Sequence, residues 1–212
     1  ISKISKNHHR NSNFIYKIQQ IILLFVNDIK QTFSNNEIIK IFKNNKIILY
    51  FLLKNQIAIF DESNFKMISK HEKYFQKTIE KNDEENLSIG ENDSYISKLI
   101  REDSIEEFII YVNKTNFPLK TTKINSSIYE TNSFLINKNP TLIEYASFFG
   151  SIQIFIYLQL NNVELTSSLW LYSIHSNNPE MIHLLERNIV EPDDKTYKKC
   201  LEEAIKCHHN NI

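Results

Sequence analysis

The chain has 212 residues, 42% of them hydrophobic, with 25 Lys+Arg balanced by 25 Asp+Glu. The apolar share excludes wholesale disorder, and a formal net charge of zero with pI near 7.2 lacks the positive field expected of a nucleic-acid binder. The two cysteines, Cys200 and Cys207, fit a reducing compartment better than a disulfide framework and predict a cytoplasmic, intracellular protein.

Residues 1–13 are polar and read as a frayed end or a truncated element. From Phe14 to Phe33, apolar residues recur at spacings of three and four (Phe14, Ile18, Ile21, Ile22, Phe25, Ile29, Phe33), which predicts one amphipathic helix. Ser34, Asn35 and Asn36 supply turn and cap residues, and Glu37 starts a short helix carrying Ile38, Ile41 and Phe42. Asn44 and Asn45 break it. Lys46 to Lys54 is apolar on every side and is read as a covered helix, with a buried strand as the competing assignment for Ile47–Leu53. That run is far shorter than the roughly 20 residues a membrane helix needs, so no membrane span is expected. Phe65, Ile68, Phe75 and Ile79 mark a further helix ending near Lys81, which completes an N-terminal helical domain over 14–80. The polar, acidic stretch 81–93 reads as a linker.

The second half repeats itself. Aligned so that Thr141 meets Ser168, Ile143 meets Trp170, Tyr145 meets Tyr172, Ala146 meets Ser173, Gly150 meets Asn177, Ile154 meets Met181 and Leu158 meets Leu185. Each copy opens on a hydroxyl residue suited to capping a helix, and Thr141 with Glu144 makes a capping box. Gly150 and the Asn177-Asn178 pair fall where a first helix must reverse into a second. An upstream copy opens at Ser94 and turns at Asp103-Ser104. A further copy starts at Lys199, turns at His208-His209 and stops at Ile212, where a second helix is due. The copies therefore span 94–113, 141–167, 168–198 and a truncated 199–212. A long connection, with room for one short extra helix, lies between the first two. The missing initial Met and the interrupted last copy predict a longer natural protein.

In this register Thr141, Ile143, Ala146, Gly150, Ile154 and Leu158 stand where the ankyrin repeat has its framework residues, so 94–212 resembles that family. The resemblance is strongest over 140–212. Leu142 replaces the family's usual Pro, Glu144 its His, and Phe149 a usually polar position. The wording around Thr141 and the ending C-H-H-N-N-I are also similar to a divergent ankyrin-like family, a domain of unknown function expanded in certain parasitic single-celled eukaryotes. Its members carry a helical region before the repeats. The resemblance implies an all-α protein, an N-terminal helical unit followed by an α-solenoid of helix–turn–helix repeats, that binds proteins through the concave face of its first helices.

The residues expected on that face are Arg101, Phe148, Phe149 and His175, with Glu164, Thr166, Asp193 and Asp194 at the tips between copies. Phe148 and Phe149 form an aromatic anchor if exposed; the alternative buries at least one of them between repeats. Catalysis is not expected. With two glycines, Gly90 and Gly150, neither a P-loop nor a G-x-S-x-G elbow can form. His71-Glu72 lacks a second His, since position 75 is Phe. Cys200, Cys207, His208 and His209 lack the C-x₂₋₄-C spacing of a zinc centre and read as ordinary helix and turn residues, so no metal or cofactor is expected. The leading reading is a protein–protein interaction scaffold with an unidentified partner. An alternative is an adaptor whose N-terminal helices recruit a ubiquitin-ligase or cytoskeletal component while the repeats hold a target. A hydrolase with a scattered active site is the third.

Overall fold

A computed structural model describes residues 12–59, 61, 64, 66, 90–136, 138–207 and 209. The helix expected up to Lys81 and most of the linker expected over 81–93 lie outside the described residues. The described residues form eleven helices and no strand, so the protein is all-α. The chain divides into two compact units, Ile1–Asn92 with Ser127–Ile136, and Asp93–Ser126 with Asn137–Ile212.

The first unit contains α1 (Ser12–Leu24), α2 (Val26–Thr32), α3 (Asn35–Phe42) and α4 (Lys46–Lys54). The single helix expected over 14–33 is broken at Phe25, which sits at φ −104°, ψ 21°. Periodicity continues through the break, but burial does not. Ile15, Ile18 and Ile22 of α1 enter the core, whereas α2 buries no residue. Val26 and Ile29 of α2 are only partly buried against that core, so packing holds the ladder in line less firmly there than along α1. Ser34 and Glu37 form a reciprocal capping box that starts α3. Asn45 accepts a hydrogen bond from Ile48 N at 3.0 Å and starts α4, which settles the helix-or-strand choice for Ile47–Leu53. Ile47, Ile48, Leu49 and Leu52 are all buried there, as an all-apolar helix requires. Part of the long connection belongs to this unit. Tyr129 joins its core, and Lys46 Nζ donates to the carbonyls of Ile128 and Glu130 at 3.0 and 3.1 Å.

The second unit contains α5 (Tyr95–Arg101), α6 (Ile105–Thr115), α7 (Leu142–Phe149), α8 (Ile152–Leu160), α9 (Leu169–Ser176), α10 (Pro179–Arg187) and α11 (Lys198–Cys207). Helices packed in sequence-adjacent pairs are α5 with α6, α7 with α8, and α9 with α10. The first members also pack on one another in chain order, α5 on α7, α7 on α9 and α9 on α11, while α6 packs on α8. The described part of the connection over 117–140 contains turns and an isolated bridge from Lys123 to Thr141, and no extra helix.

Left-handed residues mark the turns at equivalent places. Asp103, Gly150 and Asn177 follow the three first helices, with φ of 50°, 70° and 50°. Asn116, Asn162 and Ile189 follow the three second helices, with φ of 49°, 56° and 55°. Asn, Asp and Gly tolerate this conformation. Ile189 does not, because a β-branched side chain crowds the following carbonyl. A backbone bond closes each second helix, from Phe117 N to Val112 O, Val163 N to Leu158 O, and Val190 N to Leu185 O. These fulfil carbonyls that a helix end leaves orphaned.

The interface between α7 and α9 is built on small residues. Ala146, Ser147 and Ser173 are fully buried, which lets the two backbones come close. The two serines satisfy each other at 2.7 Å, and Ser173 Oγ also donates to Leu169 O at 2.8 Å. Pairs are tied together by caps supplied from their neighbours. The Asp103 carboxylate accepts from Gln153 N and Ile154 N, both at 3.0 Å, and so caps α8 from the preceding pair. Ser151, the local residue at that cap, instead donates to Ile100 O at 2.5 Å. Thr141 does cap its own helix, with Glu144 completing the box. Ser168 and Ser94 do not, contrary to expectation. Ser168 lies in the helical region and donates to Glu144 Oε1 at 2.6 Å, while Ser94 Oγ pairs with Ser97 Oγ at 2.6 Å.

Candidate functional site

The equivalent residues Arg101, Phe148 and His175 fall on α5, α7 and α9, and the structure brings them into one row along the stacked first helices. The row is a seam more than an open face. Arg101 Nη1 donates to Tyr145 OH at 3.4 Å, joining α5 to α7. The Phe148 ring stacks on the His175 ring at 4.9 Å with 25° between planes, joining α7 to α9. His175 in turn meets Glu203 and Cys207, joining α9 to α11.

This placement corrects the expected anchor. Phe148 has no exposed surface, since it packs against Phe149 and Tyr172 as well as His175. No residue of α7 is exposed: six are buried, and Glu144 and Phe149 are partly buried. Phe149 is partly buried, its ring 4.7 Å from that of Tyr145, and it is the one aromatic of the pair with surface to offer.

The tip residues lie at the opposite ends of the first helices, before the starts of α9 and α11. An eight-residue helix, roughly 12 Å long, separates them from Phe149, so the expected residues do not converge on one patch. Glu164, Thr166 and Asp193 are exposed. Thr166 Oγ1 pairs with Ser168 Oγ at 2.8 Å, and Ser167 Oγ donates to Asp193 Oδ1 from the preceding tip. Asp194 has a structural task. Its carboxylate accepts from Lys199 N at 3.0 Å at the start of α11, and that bond holds its carboxyl below the usual range. Glu191, which is equivalent to Glu164, is also exposed and sits 3.8 Å from Lys195.

At the α9–α11 end the structure assembles a polar cluster that the sequence did not single out. His175 Nε2 lies 3.0 Å from Glu203 Oε1, and Cys207 Sγ lies 3.4 Å from His175 Nδ1. Lys206 Nζ donates to the outer oxygen, Glu203 Oε2, at 3.0 Å. The hydrogen bond from His175 is the main reason the Glu203 carboxyl is held down to about 2, with Lys206 adding to it against the cost of burial. Burial pushes the Cys207 thiol up to about 11, and the Glu203 charge pushes it the same way. His209 Nδ1 donates to Ile174 O at 2.8 Å and does not join the cluster, and Cys200 lies apart from it, beside Trp170 and Tyr197. Of the four residues weighed in the sequence as a metal set, Cys200, Cys207 and His209 are therefore not one group, and His208 lies outside the described residues. The signal that could have found the true group is the copy alignment, which places Glu203 and Cys207 of α11 on either side of the position equivalent to His175 of α9.

The first unit presents a groove of about 400 Å³ lined by α1, α2 and α3 through Ile21, Phe25, Ile29, Phe33 and Ile41. Its described lining is wholly apolar. Among the described residues no helix is long and apolar enough to cross a membrane. Comparison of the chain with protein-family models, curated proteins and solved structures gave no match.

Proposed function

We propose that the chain is a non-catalytic protein-interaction scaffold whose second unit is a short array of ankyrin-like helix pairs. The observation that carries this reading is the stacking of α5, α7, α9 and α11 in chain order, with a left-handed residue at the same place in each pair. An array of this kind gains stability from neighbour-to-neighbour contacts and presents a row of equivalent loops to solvent. The departures from the ankyrin pattern fit the contacts they make. Glu144 closes the capping box and reaches Ser168 of the next copy, and Asn177 reproduces the left-handed turn of Gly150.

The binding surface of this scaffold consists of the tip residues Glu164, Thr166 and Asp193, with Phe149 at the other end of its helix. Arg101, Phe148 and His175 hold the array together instead. Asp194 starts its last helix. The test pairs two variants with the wild type in affinity capture of a partner protein, at matched far-UV circular dichroism. Glu164→Lys combined with Thr166→Ala alters the tips, and Phe149→Ala removes the remaining aromatic. Loss of a partner in either variant with helicity retained supports the reading. An unchanged partner set in both rejects this surface.

A further inference from the structure

We propose that His175, Glu203 and Cys207 form a binding site for one zinc-class divalent cation that clamps α11 to α9. Their ligating atoms all lie within 4.8 Å of one another. Tetrahedral zinc with nitrogen, oxygen and sulfur ligands sets those atoms about 3.3–3.7 Å apart. The observed Nε2–Oε1 separation is 3.0 Å and the Nε2–Sγ separation is 3.9 Å, so small side-chain adjustments bring them into range. Glu203 and Cys207 are four residues apart and share one face of α11, where they meet a single imidazole from the neighbouring helix. The donor set combines imidazole, carboxylate and thiolate, which suits zinc better than calcium or magnesium.

A nucleophilic triad is the competing use of a thiol, an imidazole and a carboxylate in line. Cys207 is only 4% exposed, which denies it to a substrate, and burial and the Glu203 charge oppose ionisation of its thiol more than the Lys206 charge favours it. A metal ion supplies that help itself, displacing the thiol proton as it binds. Lys206 contacts only the outer carboxylate oxygen from an exposed position, so it is free to swing aside when the charge of Glu203 is shared with a cation. The consequence lies in the array. In the second unit α11 packs chiefly on α9, with its Leu201 and Ile205 largely exposed, and a bridging ion would hold it in place.

The experiment titrates the full chain, stripped with a chelator, with Co²⁺ and follows the thiolate-to-metal charge-transfer and d–d absorption. One equivalent should bind with a tetrahedral spectrum, and Zn²⁺ should displace it. Cys207→Ser should abolish the charge-transfer band, and Glu203→Gln should weaken affinity by about 100-fold or more, the upper end of what even outer partners contribute. Cys200→Ser should leave both unchanged. Zn²⁺ should also raise the thermal midpoint of the wild type and not that of Cys207→Ser. If Cys207→Ser fails to fold, Glu203→Gln decides the matter alone. Absence of saturable uptake overturns the proposal and leaves a hydrogen-bonded network only. So does uptake that neither variant alters, which would assign the ion to other histidines such as His8 and His9.

Discussion

At the scale of single residues, backbone conformation and caps decide more than residue class does. Ile189 holds a left-handed conformation with 83% of its surface exposed. It therefore carries a conformational cost with no burial to offset it. Ile189→Asn should raise stability by about 1 kcal/mol, read as a higher urea midpoint at unchanged slope; a lower midpoint would show that the side chain contributes packing. Thr141→Ala should cost about 1 kcal/mol, because it removes a cap that both Glu144 N and the Glu144 carboxylate use. Ser94→Ala should cost less in the same assay, since Ser94 makes no cap bond. The Thr141 box was legible because it lies within four residues. The bond from Ser168 to Glu144 was not, because it needs the spatial register of two copies.

At the scale of elements, the periodic pattern located nearly every described helix but could not say which faces were covered. Phe25 fits the spacing of one long helix as well as its neighbours do, yet it is exposed, and beyond Ile22 full burial gives way to the partial burial of Val26 and Ile29. Phe148 and Phe149 are adjacent and chemically alike, yet the rotation of α7 buries one completely and leaves the other at the edge. Phe148→Ala should destabilise the second unit by about 3–5 kcal/mol, as large-to-small changes in packed aromatic sites do. Thermal or denaturant unfolding measures this, and a loss under 1 kcal/mol would contradict the packing described. Asp103 is a turn residue by sequence and a cap for α8 by structure. Asp103→Ala should cost about 1–2 kcal/mol, and amide exchange should rise first at Gln153 and Ile154. Protection there equal to the wild type would show that the carboxylate is dispensable.

At the scale of the molecule, the all-α character was legible in the helical periodicity of the sequence, and α5, α7, α9 and α11 contact one another in chain order. The assignment of Ser127–Ile136 to the first unit was not legible, since Tyr129 reaches that core from a connection with no periodic pattern. The cluster of His175, Glu203 and Cys207 was equally hidden, because it joins helices more than twenty-five residues apart through side-chain rotation alone. The sequence could not tell which of the expected surface residues are exposed. Glu164, Thr166 and Asp193 are exposed and Phe149 is partly buried at the edge of α7, whereas Arg101, Phe148 and His175 make contacts between the first helices.

The central claim is that this array serves to bind a protein through its exposed loops. The measurement that tests it most directly is quantitative affinity capture by the full chain, wild type against Glu164→Lys/Thr166→Ala and Phe149→Ala, with helicity and thermal midpoint checked for each. The account predicts a reproducible partner for the wild type whose retention falls about tenfold or more in at least one folded variant, the scale of losing one anchoring side chain. The same partner held equally by all three proteins, or no reproducible partner for the wild type, would contradict it.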